Sequence, residues 1–475
     1  MTPPSIDLRL IAPELTVTGA AIVVLIAGTF FGRGGHPVLR WMAAVGLAGA
    51  LWQVLRVPPG SSFAGMYVRD ALTLVLQSIA LAATLLAVVL SGEYVQRTRL
   101  ESGEYYALLL VSALGAMLMA ASGDLLMVFL GLETLSIPLY VLAAFARSDV
   151  RSQEAGMKYF LLGAFSTVFF LYGLALVYGA VGSTQLGALA AAAAGPSLLL
   201  AVGIGLLTIG LGFKAAVVPF HAWAPDVYEG APMPVTAYMA VIAKVGAFAA
   251  LLRIFTEALA ARPAQWSAVL AVICVATLVL ANLAALRQTN LKRLLAYSSI
   301  AHAGFILIGV VAGTAVGATA VAFYLLAYAA MTLGAFGVAL MLQRNGQEAD
   351  EIADLAGLAS RSPLLAAAMT LFMVSLAGLP LTAGFFAKLY VFTAALEAGF
   401  VWLVVIGVLA SVVSAYYYFR VAYIMYAAEP RADVHIARGR WTGAALVVAA
   451  AGVLILGIVP AGFVTFVQQI AQVVK

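Results

Sequence analysis

The chain has 475 residues, of which 64% are hydrophobic and only 9% are charged, and its mean hydropathy is +1.07. Soluble domains are about 45 to 50% apolar and about 25% charged, so this composition excludes a soluble enzyme and indicates an integral membrane protein. The formal net charge of +5 comes from loop arginines and lysines, and it therefore gives no reason to expect nucleic acid as a partner.

Apolar runs of about 18 to 25 residues, each long enough to cross a bilayer as a helix, recur along the chain. The sequence predicts an all-α polytopic membrane protein of about fourteen transmembrane helices, because a closed barrel needs alternating segments of about ten residues. We number these spans 1 to 14. Their predicted centres lie near residues 21, 47, 79, 112, 135, 166, 208, 245, 275, 303, 329, 380, 413 and 455.

The arginines and lysines outside the spans are distributed unequally between the two sides of the membrane. The richer side should be cytoplasmic, which places both termini on the periplasmic side of a bacterial cell inner membrane. The richer set is Arg33, Arg40, Arg97, Arg99, Arg147, Arg151, Arg287, Lys292, Arg293, Arg344, Arg361, Arg420, Arg431, Arg438 and Arg440, and the opposite set is Arg9, Arg56, Arg69, Arg253, Arg262 and Lys475.

Several further charges lie inside the apolar runs. Glu133, in DLLMVFLGLETLSIPLYVL, and Lys244, in PVTAYMAVIAKVGAFAALLRI, are predicted near the middle of their spans. Lys214 and Lys388 lie in spans that proline or glycine interrupts, and Lys158 lies nearer the cytoplasmic end of its span. An ionised residue at a helix centre costs about 2.5 to 3.5 kcal/mol, so these charges need an explanation.

Two explanations are open for these buried charges. Glu133 could form a structural ion pair with one lysine, and a lysine near a helix end, such as Lys158, can extend to the membrane surface. One carboxylate cannot neutralise four lysines, however. Burial favours a neutral lysine and a nearby carboxylate favours a charged one, so a lysine under both influences can load and release a proton. The sequence favours such a proton relay for Glu133, Lys214 and Lys244.

Two spans are broken near a lysine. Pro219, in GFKAAVVPFHAWAPD, interrupts the span of Lys214, and Gly378, Pro380 and Gly384 interrupt the span of Lys388. Backbone groups freed by such breaks must face protein or a hydrated cavity. An offset of five spans reverses the direction of crossing, which predicts inverted repeats. The predicted parts are helices 1 to 3 (1–100), a first repeat of spans 4 to 8 (104–257), a second of spans 9 to 13 (265–427) and helix 14 (441–475).

Three more residues are candidates for the relay. His221 follows Lys214 by two turns and would share its face if the helix were unbroken. His302 lies within NLKRLLAYSSIAHAGFILIG, where it could be either an interhelical hydrogen-bonding residue or a relay member. Lys292 could be either a positively charged anchor at the cytoplasmic face or a member of the path.

The segments FKAAVVPFHAWAPDVYEGAPMPVTAYMAVIAKVGAFA, NLKRLLAYSSIAHAGF and GLETLSIPLYVL resemble the antiporter-like, proton-translocating membrane subunits of respiratory complex I, the NADH-quinone oxidoreductase. The sequence motif PFHAWAPDVYEGAP and the lysine at position 388 are most similar to the subunit N members of that family. The resemblance covers roughly residues 100 to 430. It implies fourteen transmembrane helices with helices 7 and 12 discontinuous.

The resemblance also implies roles for individual residues. Glu133 and Lys214 would be a charge-coupled pair, Lys244 the central connecting lysine and Lys388 the terminal lysine of the second half-channel. Lys158, His221 and His302 match positions along the family's hydrated axis. NADH, flavin, iron-sulfur clusters and quinone would be bound by partner subunits, so no cofactor is expected here. This agrees with a single cysteine, Cys274, and with the lack of a glycine-rich nucleotide loop.

Other classes of membrane protein share parts of this pattern. A stand-alone sodium/proton antiporter would also have inverted repeats and broken helices, and a subunit of a multi-subunit cation/proton antiporter or a membrane-bound hydrogenase would share Glu133 and Lys214. A non-pumping scaffold subunit would leave the buried charges without a use. The sequence therefore favours a subunit of complex I that is surrounded by lipid and by neighbouring antiporter-like subunits and is not a stand-alone monomer.

Overall fold

The computed structural model of the chain describes residues 6–31, 37–192, 197–437, 439–463 and 465, and it is a bundle of helices. Met1 and Lys475, whose predicted side of the membrane fixes the orientation, lie outside these residues. The helices within them are α1 (Ala12–Phe31), α2 (Val38–Val54), α3 (Ala71–Arg97), α4 (Gly103–Ala120), α5 (Leu125–Ala143), α6 (Val150–Val181), α7 (Leu186–Ala192), α8 (Leu198–Ala215), α9 (Trp223–Gly230), α10 (Met233–Leu251), α11 (Ser267–Ala285), α12 (Leu291–Val311), α13 (Ala315–Ala339), α14 (Leu358–Arg361), α15 (Pro363–Ala377), α16 (Ala383–Glu397), α17 (Val401–Ala427) and α18 (Arg440–Ile458).

Short strands occur in the connecting segments. An antiparallel hairpin joins α2 to α3, and a three-stranded antiparallel sheet joins the loop after α13 to the loop after α17. The strands are β1 (Gly60–Ser62), β2 (Tyr67–Arg69), β3 (Leu342–Arg344), β4 (Gln347–Glu348) and β5 (Val434–Ile436), with β3 between β4 and β5.

The fourteen predicted spans are confirmed among the described residues. Twelve helices are long and apolar enough to cross a membrane, and the shorter apolar helices α2 and α15 complete the set. Span 7 consists of α8 and α9, and span 12 consists of α15 and α16. The repeat boundaries 104–257 and 265–427 stay a prediction.

Both predicted breaks are present, and each has a local cause. The first half of span 7 ends because Ala216 takes a left-handed conformation with φ 59°, three residues before Pro219. The first half of span 12 ends because Gly378 takes φ 88°, which glycine adopts readily. A Cβ on Gly384 would lie 1.7 Å from the Ser375 carbonyl oxygen, so only glycine allows α16 to lie this close to α15.

Three helices form the interior of the bundle. In the central membrane-length stretches, 100% of the residues of α10, 94% of those of α12 and 89% of those of α13 are buried, against 22% for α1 and 33% for α6. The lysine of α10 and the lysine and histidine of α12 therefore lie among protein, away from lipid, where polar partners can be supplied.

The loops after α3, α5, α11, α13 and α17 all lie on one face of the bundle, because each follows a span that crosses in the same direction. We call this the arginine-rich face. α12 begins there, since the Asn290 side chain accepts a hydrogen bond from the Arg293 backbone N–H and caps the helix. A bridge between Asn290 and Glu351 fixes the segment after β4 beside this helix start.

Candidate functional site

One face of α12 carries three buried polar side chains. Lys292, Ser299 and His302 are spaced by seven and then three residues, which places them on the same side of a helix. Their exposed fractions are 1%, 2% and 2%. The face runs from the arginine-rich end of α12 to its middle, so it can connect groups at different depths in the membrane.

Ser299 is the centre of a hydrogen-bond network. The Lys244 ammonium of α10 donates to Ser299 Oγ at 2.5 Å, and the Tyr328 hydroxyl of α13 donates to it at 2.8 Å. The Tyr228 hydroxyl of α9 lies 3.3 Å from the same oxygen. A serine hydroxyl has two acceptor sites and one donor, so Ser299 can accept from Lys244 and Tyr328 and donate to Tyr228. A proton can move through such groups.

His302 belongs to the next part of the network. Its Nδ1 lies 2.7 Å from the Tyr324 hydroxyl, and its Nε2 lies 3.1 Å from the Tyr418 hydroxyl, which in turn is 2.5 Å from Ser298 Oγ. The His302 and Tyr328 ring centroids are 5.3 Å apart. His302 therefore adjoins the Lys244–Ser299–Tyr328 group, and both of its ring nitrogens have a hydroxyl partner.

Lys388 lies beside the break in span 12. Its ammonium donates to the Ala377 carbonyl at 2.8 Å and lies 4.5 Å from the centroid of the Phe305 ring of α12. Ala377 ends α15, so the helix no longer supplies its carbonyl with an intrahelical partner. The break thus creates the acceptor that holds this lysine.

Lys214 lies at the end of the first half of span 7. Its ammonium donates to the Tyr159 hydroxyl of α6 at 3.1 Å and lies over the rings of Tyr159 and Tyr140 at 5.2 and 5.6 Å. Glu133 is half-buried and is not the hydrogen-bond partner of Lys214 among the described residues. It accepts a hydrogen bond from Thr167 at 2.7 Å. Its charge acts on Lys214 through space. The expected coupling is therefore electrostatic and acts without contact.

His221 is separated from this network. It lies between α8 and α9, past the break, where it is half-buried. Its Nδ1 has no hydrogen-bond partner among the described residues. The break removes the helical face that His221 would have shared with Lys214, so the structure does not bring the two together.

Lys158 also lies outside the buried network. Its side chain is 41% exposed and forms ion pairs with Glu154 at 2.7 Å and Asp226 at 2.9 Å. Asp226 also accepts from Arg293 at 2.7 Å. These groups form an ionic cluster on the arginine-rich face, as expected for a lysine that extends to the membrane surface.

Lys292 is paired with a carboxylate that sequence analysis did not identify. Its ammonium lies 2.8 Å from Glu348 Oε2 and donates to the Ala231 carbonyl at 2.7 Å. Glu348 also accepts from the Tyr94 hydroxyl at 2.5 Å and from the Met233 backbone N–H at 2.8 Å. Burial raises the pKa of Glu348, but the Lys292 charge and these hydrogen bonds outweigh burial and hold that pKa below its ordinary value. Glu348 is therefore a carboxylate at neutral pH.

Sequence analysis missed most partners of the buried charges. Glu348 lies in the charged loop QRNGQEADEIADLAG, where acidic residues are ordinary. Tyr324 and Tyr328, four residues apart in an otherwise apolar helix, offered a weak signal, since hydroxyls in a span need a partner. Nothing in the sequence marked Thr167 or Tyr418.

The described residues contain no group of three or more histidine, cysteine, aspartate or glutamate side chains that could hold a metal ion. Cys274 is buried, and its thiol lies 3.2 Å from the Gly304 carbonyl. The polar groups that the structure brings together are an amine, an imidazole and hydroxyls, which can exchange protons.

Comparisons with known proteins agree with this architecture. Residues 122–414 match the family described as "NADH:quinone oxidoreductase/Mrp antiporter, TM". The NADH-quinone oxidoreductase subunit N of Trichlorobacter lovleyi is 44% identical, with 99% of this chain and 98% of that protein covered. Subunit N 2 of Rhizobium meliloti is 44% identical, with 97% of this chain and 96% of that protein covered.

Solved structures of multi-subunit complexes show the same fold. A chain of respiratory complex I from Thermus thermophilus, with bound aureothin, is 40% identical with a TM-score of 0.81 and covers 94% of this chain and 97% of its own length. A chain of the Mrp complex from Dietzia is 22% identical with a TM-score of 0.84, covering 99% of this chain and 97% of its own, and shares the fold. The chain belongs to the NADH-quinone oxidoreductase subunit N family of antiporter-like membrane proteins.

Proposed function

We propose that this chain moves protons across the membrane as the subunit N of an NADH-quinone oxidoreductase, through a relay of Glu133, Lys214, Lys244, His302 and Lys388. The observation that carries the proposal is the hydrogen-bonded group of Lys244, Ser299 and Tyr328 next to His302 in the interior of the bundle. Buried ionisable groups in a membrane are costly and typical of proton paths.

The proposed mechanism is electrostatic. A change of charge or conformation that accompanies quinone reduction in a partner subunit alters the field of Glu133 at Lys214. The altered field changes the free energy of holding a proton on Lys214, without contact between the two side chains. The proton passes to Lys244 and through the hydroxyls and His302 to Lys388, which releases it on the opposite face. Moving one charge against 100 mV costs about 2.3 kcal/mol, which the redox reaction must supply.

Flavin, iron-sulfur clusters and quinone would be bound by the partner subunits in this proposal. The arginine-rich face would be cytoplasmic, in a bacterial inner membrane, because positively charged loops remain on that side during insertion. The identities of 44% to subunit N proteins and of 22% to the Mrp chain favour complex I over the cation/proton antiporter alternative.

The test substitutes the central lysine. Lys244→Met keeps the apolar stem but cannot carry a proton, so NADH-driven acidification of inverted membrane vesicles should fall by about 100-fold. Thr208→Val is the matched control, because Thr208 is buried in span 7 and, among the described residues, its hydroxyl donates only to the Ile204 carbonyl of its own helix. Native gels report assembly. Normal pumping by an assembled Lys244→Met complex would refute the proposed function.

A further inference from the structure

A polar cavity of about 640 Å³ opens on the arginine-rich face beside the start of α12. Its rim includes Thr98 after α3, Ser148 before α6 and Gly346 of the β3–β4 hairpin. Lys292 and Glu348 lie in its lining, with side chains that are 2% and 15% exposed. The cavity therefore reaches a buried ion pair that the relay described above does not include.

Glu348 connects the cavity to three helices. Its donors are Lys292 of α12, Tyr94 of α3 and the backbone N–H of Met233, the first residue of α10. A buried carboxylate needs such donors, and removal of its charge by protonation weakens all three interactions. The protonation state of Glu348 thus acts directly on the start of the helix that carries Lys244.

Two segments, α12 and the end of α9 with the loop after it, lie between the ion pair and Lys244. On α12, Lys292 and Ser299 are two turns apart, or ~10 Å at about 1.5 Å per residue, and Ser299 accepts from Lys244. Lys292 also donates to the Ala231 carbonyl, and Tyr228, one turn before Ala231, has its hydroxyl 3.3 Å from Ser299 Oγ. Lys292 and Ser299 thus bound an interval of ~10 Å on α12, which the Ala231 carbonyl and the Tyr228 hydroxyl flank.

We propose that this cavity is the proton-uptake mouth of the relay, and that Glu348 takes up the proton and delivers it toward Lys244, with Lys292 as its counter-ion. The inference rests on the proposed function and revises one step of it: Lys244 receives its proton from Glu348, and the change of charge at Lys214 drives that proton onward. A proton from cavity water binds a Glu348 oxygen and neutralises the carboxylate, which loosens its pairing with Lys292. Glu348 then releases the proton to water and returns to its carboxylate form. The Ser299 oxygen accepts a proton from that water and gives its own hydroxyl proton to neutral Lys244, which reverses the hydrogen bond between them.

The first experiment compares two buried carboxylates of the same loop in the assembled complex. Glu348→Gln keeps the shape of the side chain but cannot act as a carboxylate, so the initial rate of NADH-driven acidification should fall by about 10-fold or more. Asp354→Asn is the control, because Asp354 is fully buried and pairs with Arg344 and Arg431 but does not itself line the cavity. Assembly is measured on native gels.

The outcomes separate this inference from the proposed function. Wild-type pumping in Glu348→Gln, or equal losses in Glu348→Gln and Asp354→Asn, would overturn the uptake role. Loss of pumping in Lys244→Met together with normal pumping in Glu348→Gln would leave the relay in place and remove only its uptake mouth.

A second experiment acts after assembly and so does not depend on folding of the Glu348 variant. Cys274 is buried, so a cysteine introduced by Ser148→Cys at the cavity rim can be labelled selectively within this chain. An impermeant, positively charged methanethiosulfonate should label it in inverted vesicles and slow acidification about 3-fold or more, since a fixed cation repels protons in the mouth.

Ser360→Cys is the matched control, an exposed serine on the same face but outside the cavity lining. It should label equally in inverted vesicles, remain unlabelled in intact cells if the arginine-rich face is cytoplasmic, and leave pumping unchanged. If the cysteine of the Ser148→Cys variant does not react, or reacts without an effect on pumping, the proposal is overturned.

Discussion

The two broken spans hold their lysines in different ways. Lys214, in span 7, donates to the Tyr159 hydroxyl and lies in the field of Glu133. Lys388, in span 12, donates to the Ala377 carbonyl that the break itself frees, over the ring of Phe305. Both lysines are buried. The difference is that a carboxylate can act on the first lysine, whereas a backbone dipole of fixed magnitude holds the second.

Under the proposed function, this difference gives the two breaks separate tasks. A carboxylate can change its charge, or its distance from Lys214, during a reaction, and the proton affinity of Lys214 then changes with it. A carbonyl oxygen is not titratable, so it can orient Lys388 but cannot signal to it. The first break is therefore suited to receive a signal, and the second to hold and release whatever proton arrives.

The largest expected effect comes from replacing each lysine with methionine and with arginine. Methionine carries no proton, and arginine stays protonated in proteins, so neither can complete a cycle of loading and release. All four variants, Lys214→Met, Lys214→Arg, Lys388→Met and Lys388→Arg, should assemble and lose NADH-driven acidification by about 100-fold. Native gels and vesicle acidification measure the two properties.

The arginine variants test whether Lys214 and Lys388 must release a proton or need only carry a positive charge. Normal pumping in Lys214→Arg would show that Lys214 only neutralises Glu133, since arginine can supply that charge. Normal pumping in Lys388→Arg would show that a permanently charged side chain at the Ala377 carbonyl is sufficient. Lys388 would then not have to release a proton.

A smaller effect is expected from changes at the proposed signal. Glu133→Gln removes the charge but leaves an oxygen that can accept from Thr167. Because Glu133 acts on Lys214 without contact, the loss should be about 1 kcal/mol, or about 5-fold in the pumping rate. Thr167→Val is the control, because it keeps the charge and removes only the hydrogen bond, and it should slow pumping less than Glu133→Gln. A larger loss in Thr167→Val would mean that the position of Glu133 matters more than its charge.

The sequence allowed the spans, the two breaks and the buried charges to be predicted, because each depends on a local pattern. An apolar run shows a span, Pro219 and Gly378 show breaks, and a charge within an apolar run stands out. Side-chain partners depend on helices that are distant in the chain. Lys244 and Ser299 are 55 residues apart, and no periodicity relates them.

Glu348, Lys158 and His221 show what the sequence alone could not decide. Glu348 could not be singled out from the sequence because it lies in a charged loop among other acidic residues. The family resemblance placed Lys158 and His221 on the hydrated axis, which stays a prediction, whereas in the structure Lys158 pairs with Glu154 and Asp226 and His221 lies past the break, between α8 and α9. Burial and partner geometry, which require the fold, distinguish these residues from Lys244.

The smallest expected effect tests this distinction at Lys158. Its side chain is 41% exposed and its ion pairs with Glu154 and Asp226 are surface pairs, each worth about 0 to 1 kcal/mol. Lys158→Met should therefore lower the stability of the assembled complex slightly and leave NADH-driven acidification within about 2-fold of wild type. Glu154→Gln, which removes one of its partners, should behave in the same way. If Lys158→Met lost pumping as fully as Lys214→Met while Glu154→Gln did not, Lys158 would belong to the relay, and the path would extend from the first break to the ionic cluster on the arginine-rich face.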